Sequence, residues 1–165
     1  MTIGPDEESC GDAPRHAKRL GREVAMQYLY SCETRGELPG AATFDAFFEM
    51  LCTEYKLRDD RLVRKTREYA TMLYQQAALH GEEIDAILRP KCEASWGWDH
   101  IDPVDRNVLR VCLTEMLYDR DTPMLVCIDE AVEIARDFSG ADGGKFVNGV
   151  LNSIKNDLVK SGQWR

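Results

Sequence analysis

The feature that most constrains the fold is a pair of amphipathic segments near the C-terminus, joined by a glycine-rich break. Residues 129–136 read Asp-Glu-Ala-Val-Glu-Ile-Ala-Arg, and residues 145–151 read Lys-Phe-Val-Asn-Gly-Val-Leu. In both segments the apolar residues recur every three or four positions, which places them on one face of a helix. Three of the six residues from Ser139 to Gly144 are glycine, which marks the break. This arrangement of two amphipathic segments around a glycine-rich break predicts two consecutive helices whose apolar faces belong to the core.

The rest of the chain also favours helices, because no stretch alternates apolar and polar residues over a length typical of a strand. We predict helices at about 15–33, 43–56, 60–80, 83–93, 103–119, 126–138 and 143–160. The fold class is therefore all-α, with one domain over residues 15–165. A division near residues 80–83 separates an N-terminal bundle, about 15–80, from a C-terminal bundle, about 81–160.

Composition and cysteine spacing indicate a cytoplasmic protein. Apolar residues make up 44% of the 165 residues, which is enough to bury a core. The six cysteines are at least 15 residues apart and form no C-x-x-C, so we expect reduced thiols and no metal site. The N-terminus is acidic rather than an apolar signal, and no apolar run reaches membrane-spanning length, so we expect no membrane partner.

A cationic stripe is predicted on the first helix. The net charge of −8 is unlike that of most nucleic-acid binders, but residues 15–22 contain four Lys/Arg and no acid. On a helix, Arg15, Lys18, Arg19 and Arg22 lie within an arc of about 100°. Met26 and Tyr30 continue the stripe, and Tyr30 is suited to stacking on a base. A solvated surface is the simpler interpretation of such a stripe.

Residues 1–14 are predicted to be a flexible acidic leader, with acids at positions 6, 7, 8 and 12. A solvating tail is the simpler interpretation. The alternative is that the leader folds back on the cationic stripe and competes with RNA. Deleting residues 1–12 would then tighten RNA binding at low salt.

The helix from Pro103 has a well-marked start. Asp102 can cap it, Pro103 suits its first position, and Asp105 falls in the first turn, where negative charge complements the helix dipole. Glu115 lies on the apolar stripe of the same helix. Its burial would require a partner, which predicts a structural ion pair.

The start of the last helix is a candidate anion site. The free amide groups of a helix N-terminus and the nearby Lys145 suit an RNA phosphate. Asp142 is predicted to cap the helix, and its charge would repel a phosphate. Phe146 projects away from the centre of the apolar stripe and is expected to be only partly buried.

Catalytic patterns are not present in the sequence. The segment from Gly140 to Lys145 lacks the spacing and the Ser/Thr of a phosphate-binding P-loop, and no strand precedes it. His16, His80 and His100 are isolated and have no metal-ligand spacing. We expect no enzyme activity, no cofactor and no metal.

The two C-terminal segments resemble the signature of the NusB family, which reads I-[ND]-E-A-[VI]-E-[LI]-A, a short polar loop, and K-F-V-N-G-V-L. The resemblance is strongest over residues 96–155 and weaker over 15–30. It implies a NusB-like fold of about seven helices in two packed bundles. It also implies a non-catalytic, RNA-binding transcription antitermination factor. Family members bind boxA-type single-stranded RNA together with the ribosomal protein NusE, within the RNA polymerase antitermination complex on ribosomal RNA operons.

The resemblance also implies roles for particular residues. The RNA surface would be lined or bordered by Arg15, Lys18, Arg19, Arg22, Tyr30, Asp142, Lys145 and Phe146, and Asp105 would face NusE. Some members form homodimers that cover the RNA surface, so a homodimer is a further expected partner. The alternative function is a non-catalytic helical interaction module, related to the NusB-like appendage of RNA methyltransferases.

Overall fold

The described part of the chain folds into seven α-helices and one short 3-10 helix. The computed structural model describes residues 12–58 and 60–163, with side chains described from residue 16. In chain order the helices are α1 (Asp12–Arg35), α2 (Ala41–Glu54), α3 (Arg61–Leu79), α4 (Gly81–Glu93), α5 (Pro103–Tyr118), α6 (Met124–Ser139) and α7 (Ala141–Lys160), with the 3-10 helix at Trp98–His100. The all-α prediction is confirmed, and each predicted helix is present with ends within three residues of those observed.

The acidic leader falls largely outside the described residues. The proposed contact of residues 1–11 with the first helix therefore lies outside them as well. Residues 12–14 were expected in the leader, but they form the first turn of α1. No helix among the described residues has the length and apolar character that crossing a membrane would need.

Local sequence signals explain where the helices start and stop. The Asp102 carboxylate accepts a hydrogen bond from the Val104 N–H at 2.8 Å, which confirms the predicted cap of α5. Gly140 separates α6 from α7 with a φ of 95°, a left-handed conformation that favours glycine. A single residue therefore ends one helix and begins the next.

The helices share one buried apolar cluster that contains residues from all seven. α1 packs against α3 and α5, whereas α7 packs against α6, α5 and α4. Gly21 of α1 lies beside Tyr69 and Ala70, and Tyr28 lies beside Tyr74, so α1 and α3 run in the same direction. The predicted division at 80–83 coincides with the junction at His80 between α3 and α4, where only one residue separates the two helices. The two bundles themselves stay a prediction.

Candidate nucleic-acid interface

Arg22 does not lie on an exposed cationic stripe. Its exposed fraction is 4%, and its Nε donates to both carboxylate oxygens of Glu115 at 2.9 Å. Glu115 has no exposed surface, so the predicted structural ion pair is confirmed. The predicted position of Arg22 is wrong because α3 and α5 both cover α1, so this part of the stripe faces the interior. Met26 is buried for the same reason.

Tyr69 completes the ion pair from the side of α3. Its hydroxyl donates to Glu115, and at 2.8 Å to Asp119, while the Arg22 guanidinium lies over its ring. Burial, followed by the Glu115 charge, raises the pKa of Tyr69, so the hydroxyl remains a donor. The buried cation of α1 is therefore a structural connection between α1, α3 and α5.

The side chain of Lys18 is also held by contacts within the protein. Its Nζ donates to Thr122 Oγ1 at 2.9 Å and lies 3.6 Å from the Asp119 carboxylate. Both partners belong to the segment that leads from α5 into α6. Lys18 retains a partly exposed side chain, so it borders the surface while holding this connection.

Arg19 is surrounded by four carboxylates, which we call the Arg19 acidic cage. Its partners are Glu23 at 3.0 Å, Glu130 at 2.8 Å, Glu133 at 2.7 Å and Asp137 at 3.2 Å. Desolvation would lower the pKa of Arg19, but the carboxylates outweigh it and raise that pKa. A phosphate that approaches Arg19 must compete with these acids. Sequence inspection missed the cage because α6, more than one hundred residues away, supplies three of them.

The start of α7 differs from the prediction. The helix begins at Ala141, and Gly140 occupies the cap position without a side-chain hydrogen bond. Asp142 is therefore an exposed first-turn residue, and the predicted cap is wrong. Lys145 is exposed one residue beyond the first turn. Phe146 is partly buried against the core, as predicted.

Arg136 is a surface cation that the sequence analysis did not single out. It lies in the last turn of α6, is exposed, and packs across Gly144, where an added Cβ would be 3.7 Å from Arg136 Nε. Lys145 follows Gly144 directly. The corner between α6 and α7 therefore presents two exposed cations, Arg136 and Lys145, near the carboxylate of Asp142. The available sequence signal was the position of Arg136 one turn before a glycine break.

Asp105 points into the protein. Its exposed fraction is 6%, and Ser139 Oγ donates to its carboxylate at 2.5 Å. Gly143 lies against the same carboxylate, where an added Cβ would be 2.8 Å from Asp105 Oδ1. Burial raises the pKa of Asp105. The expectation that Asp105 faces a protein partner needs an accessible carboxylate, and the structure instead uses this group at the junction of α5, α6 and α7.

The two halves of the predicted RNA surface lie on either side of α6. Arg19 reaches Asp137 from one side, and the adjacent residue Arg136 packs on α7 at the other side. Tyr30 is 37% exposed and lines an apolar groove of about 490 Å³ with Phe138. The side chain of Arg15 lies outside the described residues.

Among the residues that the structure describes, no group of His, Cys, Asp or Glu is arranged to hold a metal ion.

Comparison with known proteins identifies relatives along most of the chain. The model of the NusB family matches residues 19–156. The transcription antitermination protein NusB of Desulfosudis oleivorans is 34% identical over 142 residues, which are 86% of this chain and 87% of that protein. The protein of the same name from Bacillus mycoides is 36% identical, over 86% of this chain and 98% of that protein.

Solved structures of similar fold include a complex with RNA. A crystal structure of the antitermination factors NusB and NusE in complex with double-stranded RNA contains a chain that is 26% identical. The similarity covers 86% of this chain and 97% of that chain, with a TM-score of 0.69. The T. maritima NusB structure is 30% identical, covers 83% of this chain and 89% of that chain, and has a TM-score of 0.65.

Proposed function

The chain belongs to the NusB family, and on this basis we propose that it is an RNA-binding transcription antitermination factor. In this proposal it binds boxA-type single-stranded RNA together with NusE. It then supports transcription of ribosomal RNA operons as part of an RNA polymerase antitermination complex. The proposal contains no catalytic step.

The observation that carries the proposal is the exposed corner between α6 and α7. It lies within the matched region, and the exposed side chains of Arg136 and Lys145 make it locally cationic. Phosphates are attracted to such cations, and aromatic rings nearby can stack on unpaired bases. Phe146 is partly exposed at this corner, and Tyr30 lines a groove with Phe138, near the end of α6. Asp142 borders the same surface and weakens its attraction for a phosphate.

The α1 cations are expected to contribute less to RNA binding than the sequence suggests. Arg22 is buried in its ion pair and is not proposed as an RNA contact. Arg19 and Lys18 are partly exposed, but a phosphate must displace carboxylates from them. RNA binding by the chain alone is therefore expected to be weak, with a shallow salt slope because few cations contact phosphates, and to increase when NusE supplies additional contacts.

The test is a titration of a boxA-like oligonucleotide, followed by fluorescence anisotropy, with and without NusE across a salt series. The parent chain should prefer the boxA-like RNA to a scrambled sequence and should bind it more tightly with NusE present. The double variant Arg136→Gln/Lys145→Gln should weaken binding and lower the salt slope by about 1.4, since each of the two lost phosphate contacts contributes about 0.7.

The matched control is Lys155→Gln/Lys160→Gln, which removes the same charge from the later turns of α7. It should leave the affinity and the salt slope close to those of the parent. Equal losses in the two double variants would contradict a role for the corner. The absence of both sequence preference and NusE enhancement would overturn the proposed function.

One observation favours the alternative function as an interaction module. Lys18, Arg19 and Arg22 all form ion pairs with carboxylates of the protein, which leaves them less able to bind RNA. In that case the chain would bind a protein partner with no effect on RNA affinity. Sedimentation of the free chain would show whether it forms a homodimer. The titration with and without NusE separates the two functions.

A further inference from the structure

We propose that the α2–α3 turn and the first half of α3 form a second RNA contact surface, which holds nucleotides that flank the boxA-type element. This inference rests on the proposed function. We call the region the α3 basic surface, and it consists of Lys56, Arg58, Arg61, Arg64 and Lys65. No function was predicted from the sequence for this part of the chain.

The α3 basic surface concentrates positive charge in an acidic protein. Residues 56–67 contain six Lys/Arg and two Asp, in a chain with a net charge of −8. One of the two acids, Asp60, is occupied by the α3 backbone, because its carboxylate accepts a hydrogen bond from the Val63 N–H at 3.0 Å. The sixth cation, Arg67, pairs with Asp45.

The cations of the surface have no acidic partner within the described part of the chain. Among those residues, no hydrogen bond or ion pair involves the side chains of the five cations. The contrast with α1 is direct, because Lys18, Arg19 and Arg22 are all paired with carboxylates. Mutual repulsion among cations that have no partner in the described residues disfavours their clustering in the free protein. A polyanion that binds there relieves this repulsion and releases its own counterions.

The cations of α3 share one face of the helix. Arg61, Arg64 and Lys65 are spaced i, i+3 and i+4, which makes them neighbours on a helix surface. The first two are exposed and Lys65 is partly exposed. A row of this kind presents several donors to successive phosphates of one strand.

Exposed apolar side chains lie directly beside these charges. Tyr55 is 63% exposed at the end of α2, and Leu57 is also exposed. Between them Lys56 adopts a left-handed φ of 52°, and the Leu57 N–H donates to the Cys52 carbonyl at 2.8 Å, which closes the end of the helix. The backbone therefore fixes an accessible tyrosine next to the cations. Such a ring can stack on any base, because every base has an aromatic face.

The aromatic residues connect the α3 basic surface with the proposed RNA surface. Tyr55 and Leu57 line an apolar groove of about 350 Å³ together with Phe138 of α6. Tyr55 and Phe138 also line the groove that contains Tyr30. The two grooves thus form a continuous apolar path from the end of α6 to the start of α3. Guanidinium groups, an accessible ring and a connecting groove together fit a single strand of RNA better than an acidic protein, which would need no ring to stack on.

The test compares two RNAs, a boxA-like core and the same core extended by unpaired flanking nucleotides on both sides. The parent chain should bind the extended RNA about tenfold more tightly than the core, as two added phosphate contacts and a stacked base would give. The variant Arg61→Gln/Arg64→Gln should lose most of this gain, keep its affinity for the core, and lower the salt slope for the extended RNA by about 1.4. The control Lys155→Gln/Lys160→Gln should retain the gain.

A second variant separates stacking from charge. Tyr55→Ala should reduce the affinity for the extended RNA without changing the salt slope, since it removes no charge. Circular dichroism and urea unfolding verify that each variant is folded. The inference is overturned if the parent gains nothing from the extension, or if the arginine variant and the lysine control lose equally.

The experiment also distinguishes the inference from the proposed function. If the parent does not bind the core RNA, with or without NusE, the proposed function fails. If the core binds and the extension adds nothing, only the α3 basic surface fails as an RNA contact. Binding of an acidic peptide by the parent and not by Arg61→Gln/Arg64→Gln, with RNA binding unaffected, would overturn the inference in favour of a protein partner.

Discussion

Arg22 and Glu115 form a buried ion pair that joins α1 to α5, with Arg22 Nε 2.9 Å from both carboxylate oxygens. Tyr69 donates to the same carboxylate from α3. The three helices thus meet at a polar cluster inside an apolar core. Glu115 has no exposed surface and Arg22 is 4% exposed, so removing one partner leaves the other charge buried without its main counter-charge.

Arg22→Met is therefore expected to destabilise the protein by about 3–5 kcal/mol, which is typical for breaking a buried pair. The double variant Arg22→Met/Glu115→Leu should recover most of that loss, because it replaces both charges with apolar groups of similar size. Urea unfolding of the two variants measures the difference. A single-variant cost below about 1 kcal/mol, as found for exposed pairs, would contradict the structural role.

Gly143 and Gly149 of α7 provide a matched pair for the junction at Asp105. A Cβ at position 143 would overlap Ser139 Oγ and come within 2.8 Å of Asp105, whereas one at position 149 would meet nothing within 4 Å. Gly143→Ala should destabilise the protein by about 1–3 kcal/mol, as overpacking does. Gly149→Ala should stabilise it by about 0.5–1 kcal/mol, since alanine is the better helix former. Thermal unfolding of the two variants checks both signs.

The buried carboxylate of Asp105 should make stability depend on pH. Burial raises the pKa of Asp105 in the folded state, so the folded protein binds a proton more readily there than the unfolded chain. The cost of holding this carboxylate ionised is therefore absent at acidic pH, below the unfolded pKa of about 3.9, and grows as pH rises through the folded pKa. Asp105→Asn should be more stable than the parent at neutral pH, and its advantage should shrink as the pH falls. An advantage that stays constant with pH in urea unfolding would contradict this account.

The sequence was sufficient to predict the helices, but not to predict which of their faces are exposed. Helical spacing correctly placed Glu115 on a buried stripe, and glycine marked the break at residue 140. The same spacing grouped Arg22 with Arg19 on an outer surface, because a helical wheel gives the faces of α1 but does not tell how many of them other helices cover. The partners of Arg19 come from α6, and no local pattern brings such distant residues together. By contrast, Arg61 and Arg64 belong to a cluster of positive charge that is local in the sequence and can be recognised there.

Asp142→Asn is expected to strengthen RNA binding, because it removes a negative charge beside Lys145 and Arg136. Asp142 does not cap α7, so the variant should keep the Gly140 junction intact. Stability should fall by no more than about 1 kcal/mol, through the lost interaction of the carboxylate with the helix dipole. RNA titration together with thermal unfolding tests both expectations. Weaker RNA binding by the folded variant would refute the repulsion argument.

The Arg19 acidic cage should limit RNA binding by α1. Glu133 and Asp137 are the more exposed acids of the cage, and they hold Arg19 at 2.7 and 3.2 Å. The variant Glu133→Gln/Asp137→Asn should open the exposed side of Arg19 to a phosphate, while Glu23 and Glu130 remain its partners. We expect a severalfold gain in affinity for a boxA-like RNA and a salt slope steeper by about 0.7, equivalent to one added phosphate contact. Titration across a salt series measures both.

The control for this variant is Glu82→Gln/Asp99→Asn, which removes the same charge at exposed positions of α4 and the 3-10 helix. The control should produce a smaller gain with an unchanged salt slope, because it alters the overall charge without releasing a cation. Adding Arg19→Gln to the Glu133→Gln/Asp137→Asn variant should abolish the extra gain. If the gain persists without Arg19, the removed carboxylates act through general repulsion, and Arg19 is not an RNA contact.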